Sequence, residues 1–280
     1  MINLDHVSFR YPDGTRALKD ISLEIPTGQF WALLGANGCG KTTLQKLLVG
    51  LFKPTTGSIL RDGRDLNKIK DTERFSQINL VFQDPNDQLF ATTVAQDVAF
   101  GPVNLGLSSL EVESRTREAL AEVGLTGLED RPIHTLSYGQ KRRAALAGVL
   151  AMRPAVILLD EPTSGLDPKG ISAIMHLLRK VNRDKGTSIV VATHDVDLVP
   201  LFCDKVAILK SGELLSCGQP EDVFADEKLT RSAGLRLPRI AHLMEILEKE
   251  DGLSFTRRPL TIVAARQELK EVIRKAADNK

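Results

Sequence analysis

The sequence predicts an α/β fold: a parallel sheet with flanking helices, an antiparallel β subdomain at the N-terminus, an inserted helical subdomain and a short helical C-terminal extension. Three observations carry this expectation. Short continuous apolar runs alternate with helical patterns, as in a parallel sheet covered on both faces. Residues 2–9 and 18–25 instead alternate apolar and polar positions, as half-buried antiparallel strands do. A glycine-rich loop joins the first continuous apolar run to a helical pattern.

Pro26-Thr27-Gly28 is a turn, and Phe30-Trp31-Ala32-Leu33-Leu34 suits a buried strand. A helical pattern at Leu44, Leu47, Leu48 and Leu51 follows the glycine-rich loop. Further buried strands are expected at Ile78–Phe82, Val156–Asp160, Ser188–Thr193 and Lys205–Leu209. From about residue 84 to 153 the rhythm breaks, and the patterns at Glu111–Val123 and Tyr138–Ala151 are helical. After about residue 236 two charged helices are expected, Ile240–Lys249 and Arg266–Ala277.

Composition narrows the function classes. The 280 residues suffice for one large domain with an appendage. A net charge of +1 gives no global field directed at nucleic acid. No apolar run reaches the about 18 residues a membrane helix needs, and the N-terminus goes straight into strand-like alternation, so neither a span nor a signal peptide is expected. The cysteines, Cys39, Cys203 and Cys217, read as free thiols, and the five histidines form no pair at metal-ligand spacing.

The loop Gly35-Ala36-Asn37-Gly38-Cys39-Gly40-Lys41-Thr42-Thr43 matches the P-loop pattern between a strand and a helix. Its backbone N–H groups and the helix N-terminus would cradle phosphate oxygens. Lys41 would reach the β- and γ-phosphates of a nucleotide, and Thr42 would offer its hydroxyl to Mg²⁺; the loop alone does not choose between kinases, GTPases, helicases and transporters. In Val156-Ile157-Leu158-Leu159-Asp160-Glu161 two carboxylates emerge at the carboxyl end of a buried strand, where ligands sit in open α/β sheets. Asp160 would hold Mg²⁺ and Glu161 would polarise the attacking water. Taken alone, the segment reads better as a strand ending in solvated acids.

Further motifs resemble the ABC ATPases, a branch of the P-loop NTPases. Leu136-Ser137-Tyr138-Gly139-Gln140 is similar to the ABC signature, with Tyr138 in place of the usual glycine. Gln83 resembles the Q-loop glutamine, Ser164-Gly165-Leu166-Asp167 the D-loop, His194 the switch histidine, and Tyr11 the aromatic residue that stacks on adenine. The resemblance covers about residues 1–235 as the ATPase domain, with about 84–153 as its helical signature subdomain and 236–280 as a C-terminal extension. It implies ATP hydrolysis with catalytic roles for Lys41, Gln83, Glu161 and His194. Nucleotide would be held by Tyr11, Gly35, Asn37, Gly38, Cys39, Gly40, Lys41, Thr42, Thr43, Gln83 and Asp160. Mg²⁺ would be held by Thr42, Gln83 and Asp160. Ser137, Gly139, Gln140 and Asp167 would act in trans, on ATP held by a second subunit. Singly, His194 could be a satisfied, partly buried histidine and Ser137 a plain N-cap.

Two residues depart from the family's usual pattern. Cys39, beside Lys41 and a helix N-terminus, is expected to have a lowered thiol pKa and to react with a maleimide unless ATP protects it; a small side chain that merely fits is the alternative. Tyr138 is expected to pack against a partner subunit.

Val81-Phe82-Gln83-Asp84-Pro85-Asn86-Asp87-Gln88-Leu89-Phe90 resembles the Q-loop region of energy-coupling-factor importers. Thr193–Pro200 and Leu136–Arg143 are similar to their cobalt/nickel branch. That resemblance implies a homodimer at the cytoplasmic face of the membrane, docked on an integral-membrane coupling protein and a substrate-binding membrane component, with the C-terminal extension holding the ATPases together. The alternatives are a vitamin importer with the same ATPase role, or a soluble ABC ATPase without a transport function. No nucleic-acid partner is expected.

Overall fold

A computed structural model describes residues 1–278, and side chains through residue 275; the last two residues of the 236–280 extension lie outside the described residues. Strands β1 (Ile2–Arg10) and β2 (Arg16–Ile25) pair antiparallel, from Ile2 opposite Ile25 to Arg10 opposite Arg16. β3 (Phe30–Leu34) runs into helix α1 (Lys41–Leu48). β4 (Thr56–Arg61) pairs with β1, and the short β5 (Arg64–Asp65) pairs with β4, so the first sheet reads β2-β1-β4-β5. Helix α2 (Asp71–Gln77) leads into β6 (Ile78–Val81).

Three helices then follow before the next strand: α3 (Val94–Asn104), α4 (Ser109–Glu122) and α5 (Tyr138–Ala151). The chain continues with β7 (Val156–Asp160), α6 (Pro168–Lys185), β8 (Ser188–Thr193), α7 (Val199–Phe202), β9 (Lys205–Lys210) and β10 (Glu213–Gly218). Helices α8 (Pro220–Ala225), α9 (Glu227–Ser232), α10 (Arg239–Lys249) and α11 (Ile262–Asp278) complete it.

The second sheet reads β10-β9-β3-β8-β7-β6 and is parallel except for β10 at its edge. Both faces are buried, which is why β3, β7 and β8 are apolar at nearly every position. Alternation along the strands divides the core. Trp31, Leu33, Leu158 and Val190 face α1 and the antiparallel sheet, whereas Ile157, Leu159, Ile189 and Val191 face α5 and α6. A third cluster joins Ala32, Leu34 and β9 to the C-terminal segment.

β3 sits between β8 and β9, although β6, β7 and β8 intervene in sequence. The carboxyl ends of β3, β8 and β7 are therefore neighbours, and ligands of open α/β sheets bind at such a switch point. Caps fix the helices that approach it. Ser137 and Gln140 form a reciprocal capping box on α5, and Asp167 Oδ1 accepts from Gly170 N at 2.6 Å on α6. One expectation fails: Leu51 lies beyond α1 and is 48% exposed, because Gly50, in the left-handed region at φ +77°, has already turned the chain away.

Candidate active site

The site is built from the carboxyl ends of three adjacent strands. Gly35 leaves β3 at φ +153°, where a Cβ would come within 2.4 Å of both the Leu209 carbonyl oxygen and Cys39 Sγ. Gly40, at φ +111°, lets the chain pass the Ala17 carbonyl, which a Cβ would meet at 2.8 Å. No side chain caps α1 and its first turn holds no acid, so its leading N–H groups remain for an anion. Lys41 is buried and donates to the carbonyls of Gly35 at 2.7 Å and Ala36 at 3.3 Å.

Thr42 donates its hydroxyl proton to Asp160 Oδ2 at 2.6 Å, joining the loop to the end of β7. Burial raises the Asp160 carboxyl above its ordinary range; the Thr42 hydrogen bond opposes this and the neighbouring Glu161 charge adds to it. Glu161 is buried at φ +45°, a strained conformation for a side-chain-bearing residue. Its Oε1 lies 3.0 Å from Nδ1 of His194, and its Oε2 accepts from the Thr193 hydroxyl at 3.3 Å. The His194 side chain is itself 64% exposed, so the ring reaches from the acid to solvent.

A cleft of about 650 Å³ brings the expected phosphate and catalytic residues together. Tyr11, Asn37, Gly38, Gly40, Lys41, Thr42, Thr43, Gln83, Asp160, Glu161 and His194 line it. Gly35 and Cys39 shape the loop from behind. The Tyr11 ring lies edge-on to Phe9 and Phe52, and its hydroxyl hydrogen-bonds Thr43 Oγ1 at 2.9 Å. Ser137, Gly139, Gln140 and Asp167 line a different cleft, of about 690 Å³. A single chain thus places its phosphate loop and its signature segment in separate clefts. The oxygens of Thr42, Asp160 and Gln83 form a hard donor set that fits Mg²⁺.

One expectation is corrected. Cys39 is buried in the core, and burial pushes its thiol up, outweighing the opposing Lys41 charge; it is not the activated thiol its sequence position suggests. Tyr138 is 41% exposed and also makes contacts within its own chain. Its Oη accepts from Arg142 Nη2 at 3.0 Å, and its ring packs so near Gly165 that a Cβ there would lie 3.1 Å from Cε1. Sequence reasoning also missed Arg16 and Ser164 as lining residues of the nucleotide cleft. Arg16 follows the Asp13-Gly14-Thr15 turn closed by Asp13 Oδ1 on Thr15 N, a turn that could have signalled a loop brought beside Tyr11.

With this geometry in place, comparison with known proteins decides the family. The sequence model of the ABC transporter family matches residues 18–164. The chain belongs to the ABC transporter family. It is an ABC ATPase, the ATP-hydrolysing subunit type of these transporters, and it has the ABC fold. It is 52% identical over 247 residues to the energy-coupling factor transporter ATP-binding protein EcfA of Methanocaldococcus jannaschii, covering 88% of each chain. The structure of CbiO1 from Clostridium perfringens, described as part of the ABC transporter complex CbiONQ, superposes with a TM-score of 0.75 at 46% identity. It covers 88% of this chain and 98% of CbiO1. An ATP-binding cassette solved as a dimer in a post-hydrolysis state with ADP and Pi aligns with a TM-score of 0.72 at 32% identity, covering 79% of this ABC ATPase and 99% of the cassette. Among the described residues, no helix of the ABC ATPase is long and apolar enough to cross a membrane.

Proposed function

We propose that this ABC ATPase powers an energy-coupling-factor importer for cobalt or nickel ions, working as a homodimer at the cytoplasmic face of the membrane. Its partners are an integral-membrane coupling protein and a substrate-binding membrane component. The likeness to CbiO1, described as part of the CbiONQ complex, carries this reading, and the identity with EcfA supports it. The Q-loop stretch Val81–Phe90 and the segments Leu136–Arg143 and Thr193–Pro200 favour the cobalt/nickel branch by resemblance.

The chemistry follows from charge and position. ATP lies with its phosphates on the loop from Gly35 to Thr43 and its adenine against Tyr11. Lys41 turns from the Gly35 carbonyl to the β- and γ-phosphates. Thr42, Asp160 and Gln83 would hold Mg²⁺, which would neutralise charge on the phosphate oxygens. The Glu161 carboxylate orients the attacking water and accepts its proton, while His194, 3.0 Å away, steadies that carboxylate and contacts the γ-phosphate.

Ser137, Gly139, Gln140 and Asp167 serve the ATP of the other subunit. Their separation from the phosphate loop within one chain supports a composite site that only a dimer completes. The Ser137 capping box leaves the other leading N–H groups of α5 to receive a γ-phosphate across the dimer interface. The C-terminal extension, residues 236–280, holds the two copies together between cycles.

Recovery of the chain from its native membranes in mild detergent, with its partners identified by mass spectrometry, tests the transport role. A polytopic coupling protein together with a membrane component that binds cobalt or nickel is the expected outcome. Recovery with a vitamin-binding membrane component would overturn the metal assignment. Recovery with soluble proteins only would overturn the transport role and leave the ATPase chemistry standing.

A further inference from the structure

Arg142 lies on α5, beneath the nucleotide cleft, and is 3% exposed. A cation at that depth is costly to bury where its donors go unpaired. No ion pair among the described residues includes Arg142; its two terminal nitrogens are held by main-chain carbonyls and a phenol, while its buried Nε has no hydrogen-bond partner. Nη1 donates to the carbonyl oxygen of Glu161. Nη2 donates to the carbonyl oxygen of Gln83 at 2.8 Å and to the Tyr138 phenol at 3.0 Å. The guanidinium carbon also sits 5.4 Å from the Tyr138 ring centroid, within cation–π range.

Those two carbonyls belong to the residues that leave β7 and β6. Glu161 holds a left-handed backbone at φ +45°, which is strained for a residue with a side chain and persists only where its surroundings enforce it. Its amide donates to the Ala192 carbonyl at 2.9 Å, and its carbonyl accepts from Arg142 and from the Ser164 amide at 3.2 Å. Both backbone hydrogen-bonding groups of the strained residue are thereby held, the amide by the sheet and the carbonyl by the signature helix together with the turn at Ser164. The planar fork of an arginine can reach two carbonyls at once from a fixed direction, which a lysine ammonium reproduces poorly.

We propose that Arg142 is a positioning residue for ATP hydrolysis. Its guanidinium fixes the backbone from which the Glu161 carboxylate is aimed and ties that backbone to Gln83, while Tyr138 holds the guanidinium in place. This rests on the reading of Glu161 as the group that orients the attacking water. It also gives Tyr138 a task within its own chain: the phenol and ring complete the clamp where a glycine would offer neither.

The test uses the full-length chain with Arg142→Lys and Arg142→Met, each in the wild-type and Glu161→Gln backgrounds. Nucleotide affinity, KM, kcat and melting temperature are measured for each. Misaiming a catalytic group by a fraction of an ångström is expected to lower kcat about 10- to 100-fold while Kd and KM for ATP stay within about twofold. In the Glu161→Gln background, single-turnover hydrolysis should show no further loss on adding Arg142→Lys. Tyr138→Phe, which keeps the ring and removes the acceptor, should lower kcat by a smaller factor.

Wild-type kcat in both Arg142 variants would overturn the proposal, as would the same fractional loss with and without Glu161. If Arg142→Met does not fold, the split between kcat and KM in Arg142→Lys decides. Wild-type turnover by Glu161→Gln alone would refute the underlying assignment of Glu161, a result distinct from either outcome at Arg142.

Discussion

The Asp160 carboxyl sits at the end of β7, bonded to Thr42, and burial raises its pKa even with Lys41 close by. A raised carboxyl favours the protonated form in the folded, nucleotide-free chain. Its contribution to folding is therefore fully present below the ordinary aspartate pKa and is lost as pH rises through the folded value. Mg²⁺ needs the carboxylate, so apparent Mg²⁺ affinity in the presence of ATP should begin to fall above the ordinary aspartate range as pH is lowered. Mg²⁺ titrations of ATP binding across pH measure this, and Asp160→Asn should flatten the dependence. Glu161→Gln should retain ATP binding and lose about 10²- to 10⁴-fold in kcat; steady-state turnover beside nucleotide affinity checks it. Cys39 should react with a maleimide at least about tenfold more slowly than exposed Cys217, with no added protection from ATP, as peptide mapping would show. The motif residues were legible in the sequence because phosphate chemistry demands those side chains at strand ends. Arg142 was not, since an arginine whose terminal nitrogens are held by main-chain carbonyls leaves no oppositely charged partner in the sequence pattern.

The elements that read clearly are those whose burial is uniform. β7 and β8 appear at the expected Val156–Asp160 and Ser188–Thr193 because both of their faces are covered. β4 escaped notice because only Ile59 in it is fully buried, which leaves no period to detect. β10, an edge strand of half-buried and exposed residues, was illegible for the same reason. Helix α6 spans Pro168–Lys185 between an Asp167 cap and left-handed Gly186, and turns Ile174, Met175, Leu178 and Val181 onto the sheet. Leu178 is fully buried, and Leu178→Ala should destabilise the chain by about 2–5 kcal/mol through lost contacts and a residual cavity. Denaturant unfolding measures this, and a loss below about 1 kcal/mol would mean that α6 packs loosely. Arg179 on the same helix forks onto both Asp204 oxygens at 2.7 and 3.0 Å, fastening α6 to the loop before β9.

At the scale of the whole molecule, one central sheet carries three functions on neighbouring strand ends. β3 delivers the phosphate loop, β7 the acids and β8 the histidine, while α5 carries the signature segment to a separate cleft. The central strands and the ABC motifs made this arrangement legible in the sequence. The separation of the two clefts was not visible there, because it depends on how α5 and α6 pack against the sheet. It is also the feature that most constrains the mechanism, since one chain presents its phosphate loop and its signature segment in different places.

The central claim is that two chains complete each ATP site. Sedimentation of Glu161→Gln with and without Mg-ATP, beside the Glu161→Gln/Ser137→Arg double variant, tests it most directly. The account predicts that Mg-ATP drives or tightens association of Glu161→Gln and that Ser137→Arg abolishes the response. An association state indifferent to Mg-ATP, or a response that survives Ser137→Arg, would contradict it.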